Sequence, residues 1–197
     1  MLIADHIYDL LPDDLFLRVR GLGELTRFYL KIEGFNAGGS IKLKTARALV
    51  QAAEDSGVDL TRTHFIESTS GNLGVALAVI CSAKRYRLTC VVDPNANATT
   101  VSLMQALGAE VVTVRERDAH GGFLGTRITY IQRRLVGEPG LYWLNQYTNP
   151  GNPTAHERST APAVLAAFGR VDYLVVGVGT SGTLMGCVDY FRRWSPQ

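Results

Sequence analysis

An α/β fold with a mostly parallel sheet is what this sequence predicts. From Ser40 onward, strand-like apolar runs alternate with segments of helical period, which is the grammar of a parallel sheet wrapped by helices on both faces. Several strand-to-helix junctions carry glycine-containing turns. With 46% hydrophobic side chains in 197 residues, the chain can also bury a substantial core.

Two alternating runs, Leu15 to Val19 and Phe28 to Ile32, flank a Gly21-Leu22-Gly23 turn and predict a short hairpin. Ser40 is placed to cap a helix in which Ala46, Leu49, Val50 and Ala53 recur at helical spacing, ended by Gly57. Thr63 to Ile66 predicts a strand, feeding the turn Ser68 to Asn72 and a helix through Val75, Ala78 and Val79. Leu88 to Val92 is a further strand, closed by Asp93-Pro94, and Thr100 to Leu107 a helix stopped by Gly108. Val111 to Val114, the helix around Leu124, Ile128, Ile131 and Leu135, and the short strand Tyr142 to Leu144 follow. The last portion predicts a helix through Val164, Leu165 and Phe168, a strand from Tyr173 to Val178, a glycine turn, and a helix from Thr183 to Phe191. In a βα architecture that helix should deliver another strand, so the C-terminal part of a larger domain is expected beyond Gln197. There is no internal repeat and no low-complexity segment.

Twenty Lys and Arg against 18 Asp and Glu leave a net charge of +2, with no basic run long enough for nucleic acid or a membrane surface. The partners expected are small soluble molecules. Cys81, Cys90 and Cys187 are an odd number without C-x-x-C spacing, which points away from disulfides and metal sites and toward a cytoplasmic protein. No positively charged segment followed by an apolar core opens the sequence and no stretch of about eighteen apolar residues occurs in it, so no membrane association is expected.

Three segments could carry chemistry. Asn36-Ala37-Gly38-Gly39-Ser40-Ile41-Lys42 sets a lysine just inside a helix start, where the helix dipole disfavours a cation. A lysine with a lowered pKa can form a Schiff base with an aldehyde. The alternative is a solvated surface lysine. Glu67-Ser68-Thr69-Ser70-Gly71-Asn72-Leu73-Gly74 gathers hydroxyls and backbone N–H groups at a helix N-terminus, suited either to an anion such as a carboxylate or simply to capping. Gly177-Val178-Gly179-Thr180-Ser181-Gly182-Thr183 is a glycine-rich turn able to hold a phosphate. Its Gly177-x-Gly179-x-x-Gly182 spacing also fits a dinucleotide fingerprint, but the chain leaves no room for the ribose-binding acid about twenty residues on.

Taken in order, Asn36-x-x-x-Ser40-x-Lys42, Thr69-Ser70-Gly71-Asn72, Asn149-Pro150-x-Asn152-Pro153 and Gly179-Thr180-x-Gly182-Thr183 resemble the fold-type-II pyridoxal-phosphate (PLP) enzymes. That group includes O-acetylserine sulfhydrylase and cystathionine β-synthase, and the likeness runs from about Phe28 to the end. The resemblance implies a two-domain, tryptophan synthase β-like architecture. Residues 1–38 with 150–197 would form the larger, incomplete cofactor domain, and 39–149 the smaller substrate-loop domain. It further implies that Lys42 carries PLP as a Schiff base, that Asn72 hydrogen-bonds the cofactor's 3′ oxygen, and that Gly179, Thr180, Ser181, Gly182 and Thr183 hold its phosphate. Thr69, Ser70, Gly71, Asn72 and Leu73, with Gln146 and its neighbour Tyr147, would grip the substrate carboxylate. No metal is implied, and a homodimer is.

A narrower likeness lies in Glu67 to Ala78, Leu88 to Pro94 and Asp118-Ala119-His120-Gly121-Gly122-Phe123-Leu124. These are similar to the N-(2-amino-2-carboxyethyl)-L-glutamate synthase branch of staphyloferrin B biosynthesis, which joins O-phosphoserine to glutamate on the way to 2,3-diaminopropionate. His120 is then a candidate for the glutamate site, or else a solvent-facing loop histidine. Ala37, Leu43, Lys44, Leu73 and Tyr147 depart from the cysteine synthase pattern. The residue contacting the pyridine nitrogen would lie beyond Gln197. The alternatives are a cysteine synthase using O-acetylserine or O-phosphoserine, and a non-catalytic binding or regulatory module on the same fold.

Overall fold

The expected hairpin is present: β1 (Phe16–Val19) pairs antiparallel with β2 (Phe28–Lys31), Phe16 opposite Lys31. The computed structural model describes residues 3–22 and 26–194, so Gly23 of the expected turn lies outside the described residues. Lys44 ties the hairpin region to the helix that follows. Its ammonium, 2% exposed, contacts Asp13 and Glu33, and Lys31 joins the same two carboxylates.

That helix, α1 (Lys42–Asp55), buries Leu43, Ala46, Leu49, Val50 and Ala53, a stripe at helical spacing. It begins two residues after Ser40, and Ser40 Oγ accepts the backbone N–H of Lys42 at 3.3 Å rather than occupying the capping position itself. Next come β3 (His64–Ser68), α2 (Asn72–Lys84), β4 (Arg87–Val92), α3 (Ala98–Ala106), β5 (Glu110–Thr113), α4 (Leu124–Gly137) and β6 (Leu141–Trp143). The four strands form one parallel sheet in the order β5-β4-β3-β6.

Both faces of the sheet are covered. Phe65, Leu88, Cys90 and Val92 point into a core shared with α1, α2 and α3, whereas Ile66 and Val91 point into a second core with Ile131 of α4. Alternate side chains of one strand thus enter two different apolar layers, which is why these strands read as apolar runs. Helix α2 lies in the middle of the first layer and is buried from Leu73 to Cys81.

Three helices complete the described chain: α5 (Gly151–Arg158), α6 (Thr160–Phe168) and α7 (Gly182–Trp194). Helix α5, which lies between α1 and α7, was not expected from the sequence. Pro150 and Pro153 conceal it, yet both fall at its start, where proline removes no intrahelical bond. The strand expected at Tyr173 to Val178 makes no ladder in the structure: no strand of the described chain lies beside it, and Tyr173 and Val175 are exposed. Among the described residues no helix is long and apolar enough to cross a membrane.

Candidate functional site

Lys42 opens α1, and the loop before it is pinned by Asn36. The Asn36 amide donates to the carbonyls of Glu33 and Ser40, and its oxygen accepts from Gly38 N–H at 2.9 Å. Burial lowers the Lys42 pKa from its ordinary value, which favours the neutral amine. The alternative of a solvated surface lysine does not hold, because Lys42 lines a cavity of about 250 Å³ with Thr69, Ser70, Gly71, Asn72, Leu73, Asn97, Thr100 and Gln146.

The loop at the end of β3 supplies most of this lining. Thr69 Oγ1 accepts the N–H groups of Gly71 and Gly74 at 3.1 and 3.0 Å, so its oxygen caps α2 while its hydrogen stays free. Gly71 has φ +149° and ψ −80°, open only to glycine, and a Cβ there would approach Thr100 Oγ1. Asn97 and Thr100 went unread in the sequence because each has a local task. Asn97 caps α3 through Thr99 N–H, and Thr100 bonds the Asn97 carbonyl. Their position, just past the carboxyl end of a parallel strand, was the available sign.

Gln146 donates Nε2–H to the Ser68 carbonyl at 2.6 Å, leaving one N–H of that amide. Tyr147 is not on the cavity wall. Its hydroxyl lies 3.1 Å from Ser68 Oγ and supports the loop from behind. Beneath both sits Glu67, fully buried, its carboxylate accepting from Ser68 N–H at 2.9 Å, Gln146 N–H at 3.2 Å and Trp143 Nε1–H at 3.4 Å. Burial outweighs these donors and pushes the Glu67 carboxyl up to about 8.

That shift sets a pH dependence. Between about 4.5 and about 8 the folded protein keeps a proton that the unfolded chain has released. The Glu67 contribution to stability is therefore complete below that window and is lost as pH rises through it, at up to about 1.4 kcal/mol per pH unit. Urea unfolding of wild type and Glu67→Gln at pH 5 and pH 7.5 should show the wild type losing ground to the variant as pH rises. A difference that does not change with pH would mean that Glu67 titrates in the fold as it does in the unfolded chain.

The Gly179 to Thr183 turn lies outside this cavity wall and opens α7. Ser181 has φ +62°, an uncommon conformation for a non-glycine residue. A Cβ on Gly177 or Gly179 would meet nothing within 4 Å, so the backbone there is approachable. Gly182 differs. A Cβ there would fall 2.2 Å from the Asn152 side chain, so the close packing of α7 on α5 by itself requires a glycine at this position. Asn152 joins the turn to the cavity, donating to the Gln146 carbonyl and to Thr180 Oγ1, both at 2.9 Å. His120 is elsewhere, on a separate open groove of about 1100 Å³ with Asp118, Leu124 and Arg133, where β5 meets α4.

A half-buried amine facing hydroxyl and amide donors, with a hydroxyl-rich helix start fastened to the same framework, is a donor set that fits an aldehyde bearing a phosphate. Residues 15–197 match the family model for pyridoxal-phosphate dependent enzymes. The chain belongs to that family. PLP is the cofactor of the family. The chain is 37% identical, over 99% of its length and 59% of the relative's, to N-(2-amino-2-carboxyethyl)-L-glutamate synthase of Ralstonia nicotianae. Among solved structures it is similar to a hydrogen sulfide-producing enzyme of Fusobacterium nucleatum, with a TM-score of 0.89, 29% identity, and coverage of 100% of this chain and 64% of the other. It is also similar to an O-ureido-L-serine synthase, with a TM-score of 0.86, 31% identity, and coverage of 99% and 61%. The chain therefore spans about three-fifths of the length of these relatives.

Proposed function

We propose that this chain supplies the lysine, the carboxylate loop and the phosphate turn of a PLP-dependent β-replacement enzyme. Its reaction would join O-phospho-L-serine to L-glutamate, giving N-(2-amino-2-carboxyethyl)-L-glutamate, a 2,3-diaminopropionate precursor. The observation that carries the reading is the sharing of one cavity by Lys42, Ser70, Asn72 and Gln146. The relative from Ralstonia supports the choice of substrates. The same reading takes residues 39–149 as the substrate-loop domain, the remainder as the cofactor domain, and the assembly as a cytoplasmic homodimer.

When bound, PLP supplies an electron sink for the bonds at the substrate Cα. Lys42 Nζ would hold the cofactor through its aldehyde carbon and would serve as the base for the proton at the substrate Cα. Burial, which lowers the Lys42 pKa, would serve both tasks. Ser70 and the N–H groups at the start of α2 bind the substrate carboxylate, and Asn72 lies beside the cofactor ring. Thr180, Ser181 and Thr183 bind the phosphate of PLP at the start of α7.

The test is a product assay by mass spectrometry with O-phosphoserine and either glutamate or sulfide. The glutamate adduct is the expected product, with sulfide competing poorly for the same intermediate. Efficient cysteine formation without the adduct would instead make this a cysteine synthase, and no turnover of either pair by PLP-loaded protein would favour a binding module.

A further inference from the structure

We propose that Asn152 and His156 of α5, together with Thr45 of α1, are positioning residues that fix the hydroxyl hydrogens of Thr180 and Thr183, leaving both free to be donated to an anion. The inference rests on the reading of the Gly179 to Thr183 turn as the phosphate site and adds the device that polarises it.

The argument is one of hydrogen bookkeeping. Asn152 is 2% exposed, and its Nδ2 lies 2.9 Å from the Gln146 carbonyl, which can only accept. This fixes the amide orientation, so Oδ1 is the atom facing Thr45 Oγ1 at 3.1 Å, and the single hydroxyl hydrogen of Thr45 goes to it. Thr45 Oγ1 is also 3.3 Å from His156 Nε2, and having spent its hydrogen it can only accept there. Nε2 must then carry the imidazole hydrogen.

The other side of the ring accommodates the same tautomer. Lys44 Nζ can only donate, and it does so to Thr160 Oγ1 at 3.1 Å, so the Thr160 hydrogen is available to His156 Nδ1 at 3.0 Å. The ring is fully buried, and burial with the nearby Lys44 and Lys42 charges holds its pKa down to about 4, so it carries one hydrogen only. That hydrogen, on Nε2, is shared with Thr183 Oγ1 at 3.2 Å. Thr183 therefore accepts from His156, and Thr180 accepts from Asn152 Nδ2 at 2.9 Å. Each keeps its own hydrogen. With the opposite tautomer, Thr183 would spend its hydrogen on Nε2 and present a lone pair to the phosphate.

Two measurements test this. The ¹⁵N shifts of the His156 ring should report a neutral Nε2–H tautomer with and without PLP, and an Nδ1–H tautomer would overturn the proposal. The second compares affinities for PLP and for pyridoxal, whose ratio reads the phosphate contribution. Thr45→Val removes a neutral hydroxyl that lies away from the turn, and it should lower that ratio about tenfold, with Thr45→Ser restoring it. A merely structural role would weaken both ligands alike. If Thr45→Val leaves the ratio unchanged while Thr180→Val with Thr183→Val abolishes it, the turn is the phosphate site but the network does not polarise it. If the paired threonine change also leaves the ratio unchanged, the phosphate lies elsewhere and the proposal falls with that reading. Should Thr45→Val fail to fold, the wild-type tautomer alone decides.

Discussion

Lys42→Ala is expected to abolish covalent retention of PLP and to lower β-replacement by at least about a thousandfold, the range over which a positioned base acts. On the proposed reading two roles would fall together, because the same amine would attach the cofactor and take the Cα proton. Lys44 is more deeply buried but is held by the Asp13 and Glu33 carboxylates, whereas the Lys42 pKa is lowered by burial and its side chain faces the carboxylate loop across a shared cavity. The measurement is the near-visible absorbance of purified protein before and after borohydride, followed by turnover with O-phosphoserine and glutamate. Phosphate contacts at Thr180 and Thr183 would still allow reversible binding, so the expected outcome is colour that washes out and that borohydride no longer fixes to the chain. An unchanged, reducible chromophore would place the covalent bond on another lysine.

Gly186→Ala should be the most damaging single-methyl change to stability. Alanine in a helix interior ordinarily gains about 1 kcal/mol over glycine. Here the added Cβ would stand 2.2 Å from the Pro153 carbonyl oxygen, 2.8 Å from Glu157 N and 2.9 Å from His156 Cβ. Two of these are backbone atoms of α5, which cannot rotate away, so α5 and α7 would have to separate. Overpacking of this kind typically costs about 1–3 kcal/mol, and contacts this short belong at the upper end. The net expectation is a loss of roughly 2 kcal/mol, or a melting temperature lower by about 4–8 °C. Gly137, where nothing lies within 4 Å of an added Cβ, is the control and should tolerate alanine. Equal stability of Gly186→Ala and wild type would show that the two helices are not in firm contact.

The sheet and its helices were legible because period and apolar content are properties of short windows: α1 shows its buried stripe, and β4 its apolar run, without any neighbour being known. Helix α5 was not, since its two prolines read as punctuation until their place in the first turn is known. The segment Tyr173 to Val178 has the composition of a strand, but a ladder needs a second strand, and composition cannot say whether one is adjacent. The site divides in the same way. Lys42, Ser70 and Asn72 stand in motifs, as does Asn152, whereas Thr45 and His156 matter through partners up to 111 positions away in the chain. A buried threonine and a surface threonine are the same letter. Glu67 was in view as part of a motif, and only its complete burial shows that it holds the loop's backbone.

Covering the sheet on both faces has a consequence for how its strands find their alignment. In a strand with one wet face, a slip of one residue is resisted because it would turn apolar side chains to water. In β3 a slip would merely exchange Phe65 and Ile66 between two layers that are both apolar. Discrimination must then come from polar stitches. His64 Nε2 lies 2.8 Å from Thr89 Oγ1, which donates to Glu110 Oε2 at 2.8 Å, threading β3, β4 and β5 together across the sheet. Thr89 is fully buried, so any misalignment leaves its hydroxyl stranded in a dry layer. Three polar side chains thereby set the register in which the carboxyl ends of the strands, and the loops that follow them, come to lie side by side.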